Sequence, residues 1–185
     1  MKKTKKLLIV VDAQNDFITG VLGSKEADET VPKLVQKILK WDGDIVYTLD
    51  THDSEYFDTR EGKHLPVYHC QIDTWGWELD KRVEEAIYQN MRIANNPTLT
   101  RSAKKFEKSS FGSMTVAEYA SQYEHIEVVG FCTDICVISN VMLILNNYDT
   151  VEVTVDASCC AGSAPEAHKA ALLVMKNCHA NIINE

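Results

Sequence analysis

The sequence predicts an α/β fold: a three-layer α-β-α arrangement around a parallel sheet of about six strands. Short apolar, β-branched runs alternate along the chain with longer segments whose apolar residues recur at helical spacing. The short runs are apolar at nearly every position, which is typical of strands buried on both faces. The chain has 185 residues and no linker rich in Pro, Gly or Ser, so we expect a single domain over residues 1–185.

The strands are predicted where the apolar runs occur. The first, "KLLIVVD", and the second, "DIVYTLD", are continuous apolar runs that end on an aspartate. A weaker third strand is predicted between Met91 and Thr100, where Pro97 interrupts the pattern. In chain order the predicted strands are 6–12, 44–50, 91–100, 125–131, 150–157 and 180–184.

The helices are predicted from apolar residues three and four positions apart. The segment 29–41 has this spacing, and Pro32 is tolerated because it would lie in the first turn. A capping-box pattern, Ser163 followed by Glu166, predicts the start of the last helix. The predicted helices cover 29–41, 78–89, 115–122, 135–147 and 165–177.

Charge and composition exclude several classes of partner. The 27 acidic residues outnumber the 19 basic ones and give a net charge of −8, so we expect neither nucleic acid nor an acidic membrane as a partner. The basic start, "MKKTKK", precedes an apolar run that is too short for an export signal or a membrane span. Without an export signal, the six cysteines are expected to be reduced thiols in the cytoplasm.

Reactive side chains follow four of the predicted strands. Asp12 follows the first, Asp50 and His52 the second, Lys108 the third and Cys136 the fourth. Ligands of open parallel sheets bind beyond the carboxyl ends of the strands. We therefore expect a carboxylate, a candidate metal pair, a lysine and a thiol to meet at one edge of the sheet.

The stretch "GFCTDICVIS" allows more than one interpretation of its two cysteines. If Thr133 or Asp134 caps the following helix, Cys136 lies in the first helical turn, where the backbone N–H groups lower a thiol pKa. Asp12 would then serve as general base and Lys108 would hold the thiolate. Alternatively, Cys132 and Cys136 are packed as small buried hydrophobes. A redox pair is less favoured because the spacing is C-x-x-x-C.

A metal site is the second candidate feature. Asp50 and His52 form a D-x-H pair, and the same polar loop contains His69 together with Glu61 or His64 as a fourth ligand. Carboxylate and imidazole ligands suit Zn²⁺, Fe²⁺ or Mn²⁺. The alternative is a polar turn with surface histidines.

Taken together, these motifs resemble a known family. "VVDAQNDF", "LDTHD", "LPVYHC", "KSSFGS" and "GFCTDICV", in this order, resemble the isochorismatase-like cysteine hydrolases, and among them the nicotinamidases. The resemblance extends from residue 6 to about residue 184 and implies a six-stranded parallel sheet.

The resemblance also implies roles for individual residues. Asp12, Lys108 and Cys136 would form the catalytic triad, and the backbone N–H groups of Cys132 and Cys136 the oxyanion hole. A non-proline cis peptide would join Phe131 to Cys132. The implied metal ligands are Asp50, His52, His69 and Glu61, with His64 as a competing fourth ligand. The candidate substrate contacts are Phe17, Gln14, Tyr68, Trp75 or Trp77.

The sequence departs from the nicotinamidase pattern near the metal loop, where Leu65 and Pro66 stand in place of an aromatic residue. Our leading hypothesis is nonetheless a nicotinamidase-type amidase of NAD metabolism that holds a divalent metal, with zinc preferred over iron or manganese. It would convert nicotinamide to nicotinate and ammonia through a thioester on Cys136, and a metal-polarised water would release the acid. The alternatives are hydrolysis of a carbamoyl compound, another small amide or an isochorismate-like vinyl ether, and a non-catalytic binding protein. The resemblance also suggests a homo-oligomer.

Overall fold

A parallel sheet organises the computed structural model, which describes residues 5–93 and 103–185. The strands of this described part are β1 (Lys6–Val11), β2 (Asp44–Asp50), β3 (Ala103–Lys108), β4 (His125–Phe131), β5 (Glu152–Ala161) and β6 (Asn181–Ile183). They form one six-stranded sheet in the order β3-β2-β1-β4-β5-β6, and each neighbouring pair is parallel. The predicted α/β fold is confirmed.

Helices connect successive strands and cover the sheet. The helices of the described part are α1 (Asn15–Ile18), α2 (Lys25–Lys40), α3 (Arg60–His64), α4 (Lys81–Ile93), α5 (Met114–Ala120), α6 (Ile138–Asn147) and α7 (Pro165–Asn177). Helix α2 packs against α4, while α6 packs against α5 and α7. Because every residue from Leu7 to Val11 in the central strand β1 is fully buried, the sheet is covered on both faces.

The third strand does not lie where the apolar pattern placed it. Residues 91–93 belong to the end of α4, and the remainder of the predicted strand, 94–100, lies outside the described residues. The described strand β3 reads "AKKFEK" and occupies an edge of the sheet, where Lys104, Lys105 and Glu107 are exposed. An edge strand carries charged residues that a search for apolar runs does not find.

Several helix boundaries also differ from the prediction. Helix α2 begins at Lys25, four positions before residue 29, because the Ser24 hydroxyl caps it by accepting a hydrogen bond from the Ala27 N–H. The predicted capping box is wrong: the residue at the cap of α7 is Ala164, and the Ser163 hydroxyl donates to Asp134 instead. No helix in residues 5–93 and 103–185 is long and apolar enough to span a membrane.

The register of the strands brings their carboxyl ends to one edge. Asp50 pairs with Lys108, Val11 pairs with Gly130, and β5 extends past its predicted end so that Cys160 pairs with Gly130. Gly130 has a φ of +119°, and a Cβ atom there would lie 2.1 Å from the Val11 carbonyl oxygen. Only glycine permits this close approach of β4 to β1 just before the loop that carries Cys136.

Candidate active site

Three predicted catalytic side chains meet at this edge. The Lys108 ammonium lies 2.6 Å from the Asp12 Oδ2 atom and 3.6 Å from the Cys136 sulfur. All three residues are buried, with Asp12 fully inaccessible to solvent. The expectation that this acid, ammonium and thiol meet at one edge is confirmed, and their catalytic roles stay a prediction.

Asp12 is held in an unusual backbone conformation by a neighbouring strand. Its φ is +45°, a region that aspartate tolerates better than most residues. The Thr48 hydroxyl accepts from the Asp12 N–H at 3.1 Å and donates to the Asp12 Oδ1 atom at 2.6 Å. Sequence reasoning missed Thr48, because its role depends on the pairing of β1 with β2.

The second carboxylate oxygen of Asp12 is free to accept a proton. Among the described residues, Oδ2 has no partner with hydrogen-bond geometry, and its 2.6 Å contact with Lys108 is an ion pair that is poorly aligned for a hydrogen bond. Burial raises the pKa of Asp12, although the Lys108 charge opposes this effect. A carboxylate with a raised pKa and an unused lone pair is suited to take the Cys136 proton.

The thiol of Cys136 differs from the sequence-based expectation. Its pKa is raised, first by burial and then by the Asp12 charge, and the Lys108 ammonium only partly offsets this rise. The predicted lowering by the first helical turn is therefore wrong. A thiol with a raised pKa rests in its protonated form, so it needs a base, and Asp12, whose charge acts on this thiol, is the candidate for that role.

The loop before the nucleophile has a special backbone. The peptide bond between Phe131 and Cys132 is cis, as the resemblance implied. A π-helical turn, Thr133–Val137, follows, and Cys132 occupies its cap position instead of the predicted Thr133 or Asp134. The Cys132 carbonyl accepts hydrogen bonds from the N–H groups of Ile135 and Val137, both at 3.1 Å. Cys136 thus lies within the first helical turn, although its cap residue was misassigned.

Asn140 is a further residue of the site that sequence reasoning missed. It is buried, and its side-chain amide donates to the Cys136 carbonyl at 2.8 Å and to the Phe111 carbonyl at 3.2 Å. Its side-chain oxygen accepts from the Ser113 N–H at 3.1 Å. The residue joins the nucleophile turn to the loop after β3, and nothing in the local sequence pattern signals this role.

The predicted metal ligands cluster beside the triad. One ligand atom each from Asp50, His52, Glu61 and His69 lies within 4.8 Å of the others. The His52 Nε2 atom is 2.9 Å from Asp50 Oδ2, and the His69 Nε2 atom is 3.6 Å from Glu61 Oε1. The Nδ1–H of His69 donates to the Val67 carbonyl, which leaves Nε2 available as a ligand.

The donor set fits a divalent cation. Two carboxylates and two imidazoles suit Zn²⁺, Fe²⁺ or Mn²⁺, and three of the four residues are buried. Burial alone would lower the pKa of His69, but the carboxylates of Asp50 and Glu61, each with an oxygen 3.6 Å from Nε2, outweigh it and raise the pKa to about 10. Such concentrated negative charge favours a cation between these side chains.

Of the two candidates for a fourth ligand, the structure groups Glu61 with the others. His64 is exposed, and its Nδ1–H donates to the Arg60 carbonyl at 2.8 Å. It lies on the wall of the neighbouring cavity, outside the four-residue group found in the described part of the chain. The prediction of His64 as a competing ligand is therefore not supported.

A cavity of about 600 Å³ lies beside Cys136 and three of the four candidate metal ligands. Its walls include Cys136 together with Asp50, Glu61 and His69. The rest of the lining is mainly apolar. It comprises Phe17, Leu22, Gly23, Ser24, Ala27, Arg60, His64, Leu65, Phe111, Phe131, Cys132, Ile135, Ala161, Gly162 and Ser163.

Of the predicted substrate contacts, the structure places only Phe17 on the cavity wall. Gln14 is fully buried, and its side chain is hydrogen-bonded to the Asp50 backbone. The Tyr68 hydroxyl donates to the Asp53 carbonyl at 2.6 Å. Trp75 is exposed, and the Trp77 N–H donates to the Thr51 hydroxyl. The four residues other than Phe17 lie outside the lining found among the described residues, which corrects those predictions.

The sequence was compared with models of known protein families. The model of the isochorismatase domain matches residues 6–185, which is nearly the whole chain. The chain belongs to the isochorismatase family. The fold, the triad and the cavity described above are therefore those of an isochorismatase-family protein.

Several solved structures of similar fold are named as nicotinamidases or pyrazinamidases. A nicotinamidase/pyrazinamidase from Bacillus subtilis has 24% identity and a TM-score of 0.79, with 98% of this chain and 100% of that chain covered. A pyrazinamidase/nicotinamidase from Streptococcus mutans has 22% identity and a TM-score of 0.77, with coverages of 97% and 100%.

A pyrazinamidase of Pyrococcus horikoshii in complex with zinc has 24% identity and a TM-score of 0.76, with coverages of 98% and 99%. At these identities the likeness concerns the fold of this isochorismatase-family chain. A search of curated protein sequences found no match.

Proposed function

We propose that this isochorismatase-family protein is a cysteine amidohydrolase of the nicotinamidase type, which hydrolyses a small carboxamide to a carboxylate and ammonia. One observation carries the proposal: the Lys108 ammonium contacts both the Asp12 carboxylate and the Cys136 sulfur, and Cys136 shares a cavity wall with three of the four candidate metal ligands. A base, a nucleophile and a cation-binding group around one cavity suit amide hydrolysis.

The proposed reaction begins with the transfer of the Cys136 proton to Asp12. The thiolate attacks the amide carbonyl, and a C–S bond forms as the carbonyl oxygen becomes an oxyanion. Backbone N–H groups of Cys132 and Cys136 stabilise this oxyanion. Asp12 then returns the proton to the nitrogen, the C–N bond breaks, and ammonia leaves a thioester on Cys136. Water hydrolyses the thioester, with Asp12 again accepting a proton, and the thiol is restored.

Lys108 has two roles in this scheme. Its ammonium stabilises the thiolate at 3.6 Å and fixes the Asp12 carboxylate at 2.6 Å. Phe17 and Leu65 supply apolar surface for the body of the substrate on the cavity wall. A divalent cation held by Asp50, His52, Glu61 and His69 would supply a Lewis acid for a ring nitrogen or a water molecule.

Replacement of the nucleophile tests the proposal. We expect Cys136→Ala to abolish ammonia release from nicotinamide, because no other group of the triad can form the thioester. Cys178→Ala is the control, since Cys178 is half-buried at the end of α7, away from the cavity lining. Mass spectrometry should detect an acyl adduct on Cys136 in the wild type. Full activity in Cys136→Ala would refute the proposed chemistry.

A bulkier carboxamide or a carbamoyl compound is the second candidate substrate. The cavity of about 600 Å³ exceeds what nicotinamide needs, because its roughly nine non-hydrogen atoms would occupy no more than about nine water volumes of about 30 Å³ each. Leu65 lines this cavity, and an aromatic side chain at the same position would make the cavity narrower. A panel of amides, carbamoyl compounds and a vinyl ether, assayed for ammonia and pyruvate, separates these candidates. Inertness towards the whole panel would favour a binding protein.

A further inference from the structure

Two side-chain contacts tie the nucleophile turn to the start of α7. The Asp134 carboxylate accepts two hydrogen bonds from Ser163, one from its N–H at 2.7 Å and one from its hydroxyl at 2.6 Å. One residue earlier in the turn, the Thr133 hydroxyl is 2.8 Å from the His168 Nδ1 atom. Two residues of the turn that precede Cys136 are thus held by one neighbouring segment.

Ser163 makes this contact instead of the one that its local sequence predicts. The capping-box pattern would have the Ser163 hydroxyl accept from an N–H group of α7, but Ala164, which has no polar side chain, occupies the cap position. A serine cap typically contributes about 1 kcal/mol to helix stability. A residue that departs from its local preference in this way is expected at functional sites.

The segment before Ser163 lies close against the turn. A Cβ atom on Gly162 would lie 2.7 Å from Asp134 Oδ1 and 2.9 Å from the His168 Cβ atom, so a larger residue does not fit there without a shift. The two preceding residues of β5, Cys160 and Ala161, pair with Gly130 and Phe131. The same stretch of chain therefore contacts both the end of β4 and the first residues of the turn that follows the cis peptide.

The Asp134 charge acts on Cys132, the residue whose N–H group is a proposed oxyanion donor. Burial first and the Asp134 charge second raise the pKa of the Cys132 thiol to about 12. A carboxylate that rotated towards the Cys132 N–H would compete with the oxyanion for that donor. Both oxygens of the Asp134 carboxylate accept hydrogen bonds from Ser163. These bonds hold the negative charge on the side of the turn that faces α7.

We propose that Ser163, acting through Asp134, is a positioning residue for the turn that presents the Cys132 and Cys136 N–H groups. This inference rests on the proposed thioester chemistry, and it concerns the acylation step alone. Loss of the Ser163 hydroxyl leaves the backbone hydrogen bond to Asp134 in place, so the turn is loosened without being released. The rate of acylation then falls while substrate binding is retained.

The experiment compares Ser163→Ala with a matched control, Ser158→Ala. Ser158 makes the same kind of contact, since its N–H and hydroxyl donate to Asp156 Oδ1 at 3.1 and 2.8 Å, but it lines a separate groove. We expect Ser163→Ala to lower kcat about tenfold with KM within about twofold, the low end for a hydrogen bond to a charged group. Ser163→Thr, which keeps a hydroxyl, should recover most of the rate, and Ser158→Ala should resemble the wild type.

Two further measurements separate positioning from other roles. If Ser163 acts through Asp134, the double variant Ser163→Ala/Asp134→Ala should lose no more rate than Asp134→Ala alone. The rate of Cys136 alkylation by iodoacetamide should stay unchanged in Ser163→Ala, because the thiol and its base are untouched. A kcat equal to that of Ser158→Ala, a loss confined to KM, or additive effects in the double variant would overturn the inference.

Nicotinamide and p-nitrophenyl acetate serve as substrates, with Cys136→Ala as the blank for acylation at other thiols. If the wild type releases no ammonia from nicotinamide, the proposed amide activity fails. The ratio of ester acylation rates between wild type and Ser163→Ala still decides the positioning role in that case. An equal acylation rate in both proteins would refute it.

Discussion

Replacement of Lys108 by methionine should both destabilise and inactivate the protein. The ammonium lies 2.6 Å from Asp12 Oδ2, 3.2 Å from Asp50 Oδ1 and 3.6 Å from the Cys136 sulfur. Methionine preserves much of the side-chain length but removes the positive charge. Two buried carboxylates would then face each other without the cation between them.

The size of the effect follows from these distances and from burial. At 2.6 Å and an effective dielectric constant of about 20, the attraction to Asp12 is about 6 kcal/mol before the desolvation of both groups is subtracted. Removal of one partner of a buried ion pair typically destabilises a protein by about 3–5 kcal/mol. The lower value applies if a bound cation already neutralises Asp50. For a chain of this size, we expect the melting temperature to fall by roughly 6–20 °C.

Lys105→Met is the matched control for this experiment. Lys105 lies on the same strand, but its side chain is 44% exposed and its ion pair with Glu107 lies at the surface. An exposed pair contributes about 0–1 kcal/mol, so the control should be nearly as stable as the wild type. Urea unfolding measures both variants, and ammonia release should fall at least about a hundredfold in Lys108→Met alone. Equal stability of the two variants would refute the structure-based reasoning.

Three other perturbations have defined outcomes. Burial would raise the pKa of Asp156, but hydrogen bonds from Lys37 and Ser158 outweigh it and lower the pKa. The ionised Asp156 carboxylate therefore stabilises the fold above the unfolded pKa of about 3.9, and this contribution is lost as the pH falls through the lower folded pKa. The difference in free energy of unfolding between wild type and Lys37→Met, measured in urea, should shrink below about pH 4. Added Zn²⁺ at about 100 times its Kd should stabilise the wild type by about 2.7 kcal/mol in calorimetry, an effect that Glu61→Ala reduces and His64→Ala retains. Leu65→Trp should lower kcat/KM for bulky amides more than for nicotinamide, because it narrows the cavity, and an equal loss for both would contradict this.

The buried part of the fold was readable from the sequence, whereas the edge of the sheet was not. The second and fourth strands, Asp44–Asp50 and His125–Phe131, match their predicted bounds because central strands are apolar on both faces. The third strand was misplaced because "AKKFEK" has only Phe106 and Lys108 buried, which is a weak signal. Lys108 itself was still assigned to the site, because the motif "KSSFGS" located it independently of the predicted strand.

The reactive groups were predictable, but most of their supports were not. Asp12, Lys108 and Cys136 carry chemistry in their own side chains and follow strand ends, so their residue types and order point to a site. Thr48 and Asn140 act only through tertiary contacts, which local patterns do not contain. The pKa of the thiol was predicted in the wrong direction because burial and the Asp12 charge both raise it, and both depend on the tertiary structure. A cytoplasmic location and a homo-oligomer stay predictions.

One carboxylate joins the two halves of the candidate site. Asp50 directs Oδ2 towards His52 at 2.9 Å and Oδ1 towards Lys108 at 3.2 Å, so it belongs to the metal group and contacts the triad. Its backbone is fixed by Gln14, whose side chain accepts from the Asp50 N–H and donates to the Asp50 carbonyl, both at 2.8 Å. Gln14 lies two residues after Asp12 in the same loop. That loop therefore contains the proposed base, Asp12, and it also positions the Asp50 carboxylate through Gln14. Loss of the Gln14 side-chain amide would leave the N–H and the carbonyl of Asp50 without this partner. The geometry of both halves thus depends on the residues that follow β1.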